Sequence, residues 1–376
     1  MKINPFKLER YFAIYEFTAK YLLSPSDCES LPMEQLLKGA DEESLKLWKD
    51  LKLGYTESRG HPILREEITK LYHNINVDDV ITIVPEEGIF IAMNAILEEG
   101  DHVIVVDPIY QSLSEIPKSL GCSVTNWTVK LKDHRWSLDI DFLEKSICEK
   151  TKMIIVNFPH NPTGYLPTKE EFSKIIEIAK KHDLYLFSDE MYWLLEHREG
   201  EGLPSAGDTY EKGISLFGLS KTFSLPGLRL GWLVTQDKAL MDKIANFKDY
   251  TTICGSASSE VLGIMALRQK ETILKKNRER ILDNKASAKD FFKRYNELFT
   301  WIEPRGGSIA FPKLSEKIKV VEFCDRVVKD KSIMILPGET FDYDGNHFRI
   351  GLGRENFKQI LKELEAYIIE EIKNYY

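Results

Sequence analysis

The chain has 376 residues, of which 43% are hydrophobic, and a formal net charge of −8 at pH 7. This length suffices for one large domain and a smaller one, and the acidic balance argues against a surface that binds nucleic acid. No apolar run approaches the roughly 20 residues that a membrane-spanning helix needs. The N-terminus also lacks the charged and apolar regions of an export signal, so we expect a cytoplasmic protein.

The cysteines are scattered along the chain and form no C-x-x-C pair. Free thiols in a reducing compartment are therefore expected, and neither a disulfide framework nor a metal site is predicted. The five residues are Cys28, Cys122, Cys148, Cys254 and Cys324.

The first 72 residues predict short helices separated by irregular segments. Apolar and aromatic residues at helical spacing indicate one helix within residues 1–30, and residues 32–38 begin the next helical segment. Glycines and a proline make residues 53–65 an irregular loop that leads into a helix ending near residue 72.

A strand over residues 80–84 precedes Gly88 and an apolar-periodic helix over residues 89–97. The free N–H groups in the first turn of such a helix can hold an anion. Plain strand–turn–helix packing is the simpler interpretation of this pattern when it is considered alone.

From residue 101 the pattern alternates regularly between apolar strands and helices. Strands are predicted over residues 102–106, 123–129, 153–157, 184–188, 214–217 and 228–234, and helices up to residue 120 and over residues 139–148 and 169–182. Such nearly all-apolar strands favour a largely parallel sheet covered on both faces. Polar residues follow several of these strands, where ligands bind in open α/β sheets. They include Asn161, Asp189, Tyr192 and Lys221.

The C-terminal third has a different pattern. Helices over residues 238–250 and 256–268 lead into a long charged helical stretch over 271–298. Short strands over 307–311, 333–336 and 347–351 then alternate with helices, the last of which is predicted over 355–373. We therefore predict an α/β fold with a large domain over residues 40–270 and a smaller α+β domain formed by residues 1–39 and 271–376.

Lys221 lies in a polar, turn-forming segment between two strands that are predicted to be buried. An unpaired buried ammonium group is costly, so such a lysine either reaches solvent or has a chemical use. A desolvated amine loses its proton easily and can form a Schiff base. For one isolated Ser-Lys pair, an ordinary surface lysine is the simpler interpretation. The other motifs of the chain therefore decide whether Lys221 has a chemical role.

Six short motifs follow one another between residues 55 and 351. They are Tyr55-x4-Gly60-x3-Leu64-Arg65, Asp107-Pro-x-Tyr110, Asn161-Pro-Thr-Gly164, Asp189-Glu-x-Tyr192, Ser220-Lys221-x7-Arg229 and Phe348-Arg349-Ile-Gly351. In this order and spacing they resemble the class I and II aminotransferases, which are fold-type I pyridoxal-phosphate enzymes. The resemblance implies a mostly parallel seven-stranded sheet sandwiched by helices, together with a smaller α+β domain.

The resemblance also implies roles for the residues of the reactive centre. Lys221 resembles the lysine that holds pyridoxal 5'-phosphate covalently and carries a proton at the substrate Cα once it is released. Asp189 matches the carboxylate that pairs with the pyridine nitrogen and keeps it protonated. Asn161 and Tyr192 resemble the pair that hydrogen-bonds the phenolic oxygen of the cofactor.

Further cofactor contacts follow from the same resemblance. Tyr110 occupies the position where family members place an aromatic ring over the pyridine face. Arg229 supplies a planar charged fork for the phosphate. Ser220 and the N–H groups at Gly88 and Ile89 are additional candidates at the phosphate.

The resemblance at one tyrosine and one arginine implies the subunit partner and the substrates. Tyr55 resembles a tyrosine that reaches the phosphate in a neighbouring subunit, which implies a homodimer with shared active sites. Arg349 matches the arginine that binds the substrate α-carboxylate, with Asn161 beside it. The implied substrates are an amino acid and a 2-oxo acid, and no nucleic acid or membrane partner is expected.

The chain departs from the family pattern near the phosphate. Where the family has Ser-x-Ser-Lys, the first serine is replaced by Gly218. Glu86 and Glu87 stand where small or hydroxylated residues are usual, and we expect both to point away from the dianion that they would repel. Ser256 and Ser258 are candidates for the missing hydroxyl group.

The predicted function is transfer of an amino group between an L-amino acid and a 2-oxo acid in a ping-pong cycle. A lyase or a cyclising biosynthetic enzyme on the same scaffold is the first alternative, and a non-catalytic regulator that keeps the fold is a remoter one. Ser24-Pro-Ser-Asp27 replaces the usual glycine-rich substrate loop, and no second arginine can be assigned to a distal carboxylate. An aspartate-type substrate is therefore not favoured over a neutral or aromatic one.

Overall fold

A seven-stranded sheet forms the centre of the computed structural model, which describes residues 2–371. Its strands are β1 (Val80–Ile83), β2 (His102–Asp107), β3 (Ser123–Thr128), β4 (Thr151–Asn157), β5 (Tyr185–Asp189), β6 (Gly213–Gly218) and β7 (Gly231–Val234). They lie side by side in the order β1-β7-β6-β5-β4-β2-β3, and β7 runs antiparallel to both of its neighbours. The predicted mostly parallel seven-stranded sheet is confirmed.

Helices surround this sheet and form much of the rest of the described chain. In chain order they are α1 (Lys7–Tyr15), α2 (Met33–Lys38), α3 (Glu42–Lys49), α4 (Pro62–Thr69), α5 (Pro85–Ile96), α6 (Ser112–Ser119), α7 (Ile140–Lys145), α8 (Lys169–Lys181), α9 (Ala206–Thr209), α10 (Lys238–Lys248), α11 (Ala257–Arg268), α12 (Lys270–Arg294), α13 (Val320–Lys331) and α14 (Phe357–Glu371). Among residues 2–371, no helix is both long and apolar enough to cross a membrane.

The strands that carry the site are buried from end to end. In β6 every residue is buried, and in β4 and β5 one residue each escapes full burial. Helices cover both faces of the sheet, which is why these strands have apolar runs rather than alternating polar residues. The polar residues that end β4 and β5 therefore lie at one edge of a sheet that is buried from solvent.

Two element boundaries differ from the sequence prediction near the expected phosphate site. Helix α5 begins at Pro85, four residues before its predicted start, because proline suits the first position of a helix and Gly88 lies within the first turns. Strand β7 begins at Gly231 because Pro226–Leu228 form a 3₁₀ turn. Arg229 then adopts a left-handed conformation with φ 51°.

Short strands in the C-terminal part bring the two ends of the chain together. Phe348–Gly351 pairs antiparallel with Ile309–Ala310 and with Leu336–Pro337. Tyr21–Leu22 pairs in parallel with Ile333–Met334. The N-terminal segment therefore packs on the C-terminal part of the chain. Two further short pairs join Phe299–Thr300 with Lys313–Leu314 and Lys130–Lys132 with Arg135–Ser137.

A second hydrophobic core lies between α12, α13, α14 and these short strands, with Phe292, Phe299 and Phe348 at its centre. Leu36 of α2 packs instead into the core that faces the large sheet. The division of the chain at residues 39/40 and 270/271 stays a prediction. The predicted end of the last helix, at residue 373, lies outside the described residues.

Candidate active site

A cavity of about 400 Å³ opens at the carboxyl ends of the central strands. This is the edge of an open α/β sheet at which ligands bind. Its polar lining combines residues that follow the strands with residues from α1 and from the segment after it. The polar and charged residues are Glu9, Glu16, Ser26, Asp27, Glu86, Tyr110, Asn157, Asn161, Asp189, Tyr192, Ser220, Lys221, Arg229 and Arg349.

Lys221 follows β6 and points its amine into the cavity, where Nζ donates a hydrogen bond to Ser26 Oγ at 3.0 Å. Burial lowers the pKa of Lys221 below its ordinary value, Asp27 opposes this shift and Arg349 adds to it. An amine with a lowered pKa is more often neutral, and a neutral amine is the nucleophilic form. The structure therefore places Lys221, with a lowered pKa, in the same cavity as Asp189 and Arg349.

Asp189 ends β5 and is 5% exposed. Its Oδ1 accepts a hydrogen bond from the backbone N–H of Met191 at 3.1 Å. Burial raises the pKa of Asp189 to about 7; the Met191 N–H opposes this shift, Glu86 adds to it and Lys221 opposes it. A buried carboxyl group with a raised pKa would be stabilised as the anion by a cation placed beside it.

Asn157 connects the ends of β4 and β5 and fixes the loop that carries Asn161. Its Nδ2 donates to the carbonyl oxygen of Asp189 at 2.9 Å, and its Oδ1 accepts from the backbone N–H of Asn161 at 2.8 Å. The amide of Asn157 thus ties two adjacent polar strand ends together. The sequence analysis did not single out Asn157. Its place at the end of a buried strand is the same signal that identified Asp189.

Arg349 is fully buried beside the cavity and is held from two directions. Its Nε and Nη2 donate to the carbonyl oxygen of Ser24 at 3.2 and 3.1 Å, and Nη1 donates to Oδ1 of Asn161 at 3.1 Å. The rings of Phe12 and Phe341 lie 5.8 and 5.4 Å from the guanidinium carbon. This arrangement positions the planar fork beside Asn161, as the sequence predicts.

Two tyrosines line the cavity. Burial raises the pKa of Tyr192 to about 12, with Arg349 opposing the shift, so this phenol remains a hydrogen-bond donor at neutral pH. The hydroxyl group of Tyr110 donates to Oε1 of Glu9 at 3.0 Å, and its ring packs 4.9 Å from Phe6. Both tyrosines therefore lie where the sequence predicts site residues.

The end of the cavity near α5 contains Ser220, Arg229 and Ile89. Nη1 of Arg229 donates to the carbonyl oxygen of Pro226 at 2.9 Å, and this exposed residue lines the cavity. Gly88 does not offer the predicted free N–H, because its N–H donates to the carbonyl oxygen of Val84. Since α5 starts at Pro85, the free N–H groups of its first turn belong to Glu86 and Glu87.

Glu86 and Glu87 point in different directions. The carboxylate of Glu87 accepts from the hydroxyl groups of Thr251 and Thr252 and lies outside the cavity, as predicted. Glu86 faces the cavity, and its Oε2 accepts a hydrogen bond from Ser112 Oγ at 3.4 Å. The expectation that both acids point away is therefore wrong for Glu86. Its burial and the contact with Ser112 hold it in place.

Gly218 replaces the family serine for a steric reason. A Cβ at this position would lie 2.8 Å from Cα of Gly231 and 3.0 Å from the carbonyl oxygen of Leu230, with Cγ of Pro85 at 3.3 Å. These are mostly backbone atoms of the paired strand β7, so they cannot move away cheaply. Close packing between β6, β7 and the start of α5 thus requires glycine here.

We expect Gly218→Ser to lower the free energy of unfolding by about 1–3 kcal/mol, since the added atoms overpack a buried contact. Urea unfolding followed by circular dichroism would measure this loss. Gly54→Ser is the matched control, because a Cβ at Gly54 would meet no atom within 4 Å. A Gly218→Ser protein as stable as the control would contradict the steric explanation.

Tyr55 and the two candidate serines do not line this cavity. Tyr55 is 92% exposed on the loop before α4. Ser256 caps α11 by accepting from the N–H of Ser259, and its hydroxyl group lies 3.0 Å from that of Ser258. Neither serine replaces the missing hydroxyl group within one chain.

The sequence analysis missed the contribution of the N-terminal segment. The cavity is lined by Glu9 and Phe12 of α1 and by Glu16, which directly follows this helix. Ser26 and Asp27 also line it. Nothing in their local pattern distinguishes this helix from any other amphipathic surface helix. The one available signal was Ser24-Pro-Ser-Asp27, which stands in place of a family loop.

The family comparison agrees with this geometry. The model of the family described as aminotransferase class I and II matches residues 24–364. An aspartate aminotransferase of Sulfolobus acidocaldarius is 28% identical over 328 residues, which cover 82% of this chain and 80% of that protein.

Two similar solved structures have the same fold over almost their whole length. A PLP-dependent aminotransferase from Streptococcus suis 89-1591 is 30% identical with a TM-score of 0.91, and the match covers 98% of both chains. The PLP-dependent cyclase OrfR is 26% identical with a TM-score of 0.90, again over 98% of both chains. The chain belongs to the class I and II aminotransferase family and is an enzyme of the aminotransferase type.

Proposed function

We propose that this protein binds pyridoxal 5'-phosphate and transfers the amino group of an L-amino acid to a 2-oxo acid in two half-reactions. The observation that carries the proposal is the convergence of Lys221, Asp189 and Arg349 on one cavity. Each of these groups has a charge or pKa shift suited to one part of the chemistry.

The cavity residues fit the cofactor at both ends. Lys221 offers an amine with a lowered pKa for covalent linkage, and the buried carboxyl group of Asp189 suits a protonated ring nitrogen. Arg229 and the first turn of α5 provide donors for a phosphate. When bound, pyridoxal phosphate serves as an electron sink for the bonds at the substrate Cα. Glu86 also lines this end of the cavity, and its carboxylate opposes an anion.

The residues of the chain then perform three tasks. Arg349 binds the substrate α-carboxylate with its planar fork, with Asn161 fixing the orientation of that fork. Lys221, once its amine is free, accepts the proton from the substrate Cα and holds it on Nζ. Tyr192 remains a neutral donor at working pH because of its raised pKa.

The proposal includes a homodimer in which Tyr55 of each subunit completes the other subunit's phosphate site. Its support is the resemblance of Tyr55 to a family tyrosine that has this role. Tyr55 is almost fully exposed in a single chain and lies outside that chain's cavity. An exposed aromatic side chain of this kind is available for an interface.

The visible absorption spectrum of the purified protein tests the proposal directly. We expect a cofactor band that disappears on addition of a suitable L-amino acid and returns on addition of a 2-oxo acid. A protein with no band after incubation with the cofactor would contradict the proposal and would support a non-catalytic regulator.

A cyclising enzyme is the second candidate, because the solved structure of the cyclase OrfR is as similar in fold as the aminotransferase from Streptococcus suis. The fold does not decide which bond at Cα breaks, since that depends on how the substrate is oriented. A cyclase would alter the donor without releasing a 2-oxo acid. Chromatography of the product from the same experiment distinguishes the two.

The position of Glu86 predicts that cofactor affinity depends on pH. Burial raises the pKa of Glu86 to about 7; the hydrogen bond from Ser112 opposes this shift, and Glu9 adds to it. Tyr110 and Arg229 favour the anion, and the carboxyl group of Asp189 also faces it. Below this pKa Glu86 is neutral and can donate to a phosphate oxygen, whereas above it the carboxylate repels the phosphate.

We therefore expect cofactor affinity to fall by about fivefold between pH 6.5 and pH 8.5, from a repulsion of roughly 1 kcal/mol between adjacent charges. Glu86→Gln should remove most of this fall. Glu87→Gln is the matched control, because the adjacent Glu87 lies outside the cavity. Equilibrium titration with the cofactor at each pH measures the affinities. Equal pH dependence in all three proteins would contradict the assigned role.

A further inference from the structure

The cavity contains more acidic groups than the proposed chemistry uses. Its cations are Lys221, Arg229 and Arg349, and its acids are Glu9, Glu16, Asp27, Glu86 and Asp189. In the proposed function, which this inference extends, Arg229 binds the phosphate and Arg349 binds the α-carboxylate. Asp189 pairs with the ring nitrogen, and Glu86 lies at the phosphate end.

Asp27 is neutralised within the protein. Its two carboxylate oxygens accept from Nη2 of Arg354 at 3.2 and 3.1 Å. Within residues 2–371, the carboxylate of Glu9 accepts a hydrogen bond from the hydroxyl group of Tyr110 and forms no direct ion pair, although its charge acts on Lys221 and Arg349. Over the same residues, the side chain of Glu16 has no hydrogen-bond or ion-pair partner, although the charges of Arg354 and Lys221 act on it. Two carboxylates on the substrate side therefore have no ion-pair partner of their own, and the nearby cations Lys221, Arg349 and Arg354 already have other partners.

Helix geometry places these two carboxylates on the same wall. Glu9, Phe12 and Glu16 are three and four residues apart, so they lie along one face of α1 and its C-terminal end. Phe12 packs over the guanidinium of Arg349, and both glutamates line the cavity beside it. A substrate whose α-carboxylate is bound at Arg349 would therefore extend its side chain along these acids.

The electrostatic surroundings of Glu16 favour a cation beside its carboxyl group. Burial raises the pKa of Glu16, and Asp27 and Glu9 raise it further, while Arg354 and Lys221 oppose the shift. A cation beside Glu16 would relieve the repulsion between these acids. A second carboxylate would instead meet like charge, because each cation that lines the cavity of the described chain already has a proposed partner.

We propose that the amino donor is a basic L-amino acid whose side chain ends in an ammonium or guanidinium group, bound by Glu9 and Glu16. The acids on α1 thus determine specificity, while Arg349 recognises the part that all α-amino acids share. This substrate class differs from aspartate, the substrate for which the relative from Sulfolobus acidocaldarius is named.

Paired donors that differ in charge but little in shape test this inference. The cofactor-loaded enzyme is mixed with L-lysine or L-norleucine, and with L-arginine or L-citrulline, and loss of the visible band gives kcat/KM for the half-reaction. We expect each cationic donor to exceed its neutral partner by at least about tenfold, and L-aspartate to be the poorest of the set.

Charge-removing variants identify the residues responsible. Glu16→Gln and Glu9→Gln should each reduce the lysine-to-norleucine ratio of kcat/KM by about threefold or more. Glu34→Gln, which removes an exposed acid from α2, is the matched control and should leave the ratio unchanged.

Equal values for cationic and neutral donors, or a preference for L-aspartate, would overturn this inference and leave the proposed function intact. Loss of conversion with every donor would overturn the proposed function instead. The inference would then be tested by calorimetry, which measures the dissociation constants of L-lysine and L-norleucine for the same enzyme. Equal dissociation constants would exclude a cation site at Glu9 and Glu16.

Discussion

Replacing Lys221 by alanine is expected to abolish turnover, with a fall in kcat of about 10³-fold or more. The variant loses both the covalent attachment of the cofactor and the base that moves the substrate proton. It should still bind the cofactor, because Arg229, Asp189 and the start of α5 remain in place. Steady-state rates with the best donor measure the loss.

A second measurement separates a chemical role of Lys221 from a structural one. Borohydride treatment of the cofactor-loaded native enzyme should attach one cofactor to the peptide that contains Lys221, as mass spectrometry would show, and the variant should remain unlabelled. Lys221→Arg keeps the positive charge but cannot give up its proton at neutral pH, so it should be as inactive as the alanine variant. Lys243→Ala removes an exposed lysine from α10 and serves as the control. Turnover above trace level in Lys221→Ala would contradict the assignment.

Asp189→Asn should leave a protein that binds the cofactor but turns over at least about 10²-fold more slowly. Asparagine keeps the shape of the side chain and removes the negative charge that holds a proton on the ring nitrogen. Preorganised charges of this kind contribute about 10²–10³ in rate. The cofactor band of the variant should also respond to pH differently, since the ring nitrogen would lose its proton at a lower pH.

Asp183→Asn is a matched control just before the same strand. Asp183 is exposed, pairs with Lys212 and has φ 56°, a left-handed conformation that asparagine also adopts readily. This variant should keep normal turnover and an unchanged spectrum. If Asp189→Asn were as active as this control, the pairing of Asp189 with the ring nitrogen would be wrong.

The sequence alone determined the sheet and the edge of it at which the candidate site lies. Continuous apolar strands predict a buried, mostly parallel sheet, because both faces of each strand must be covered. Parallel strands end at one edge, so polar residues that follow them meet there even when they are far apart in sequence. This is why the positions of Lys221, Asp189, Asn161 and Tyr192 were predictable, whereas exact boundaries such as the start of α5 were not.

Only the tertiary structure decided which other side chains reach the cavity. Helix α1 and the segment after it bring Glu9, Glu16 and Asp27 to the cavity, although no local pattern marks these residues. The adjacent acids Glu86 and Glu87 separate because consecutive helical residues point about 100° apart, and packing selects the one that faces inward. Local periodicity fixes which residues form a strand or helix. The direction in which a surface helix presents its charges depends on contacts with distant parts of the chain, which no local pattern records.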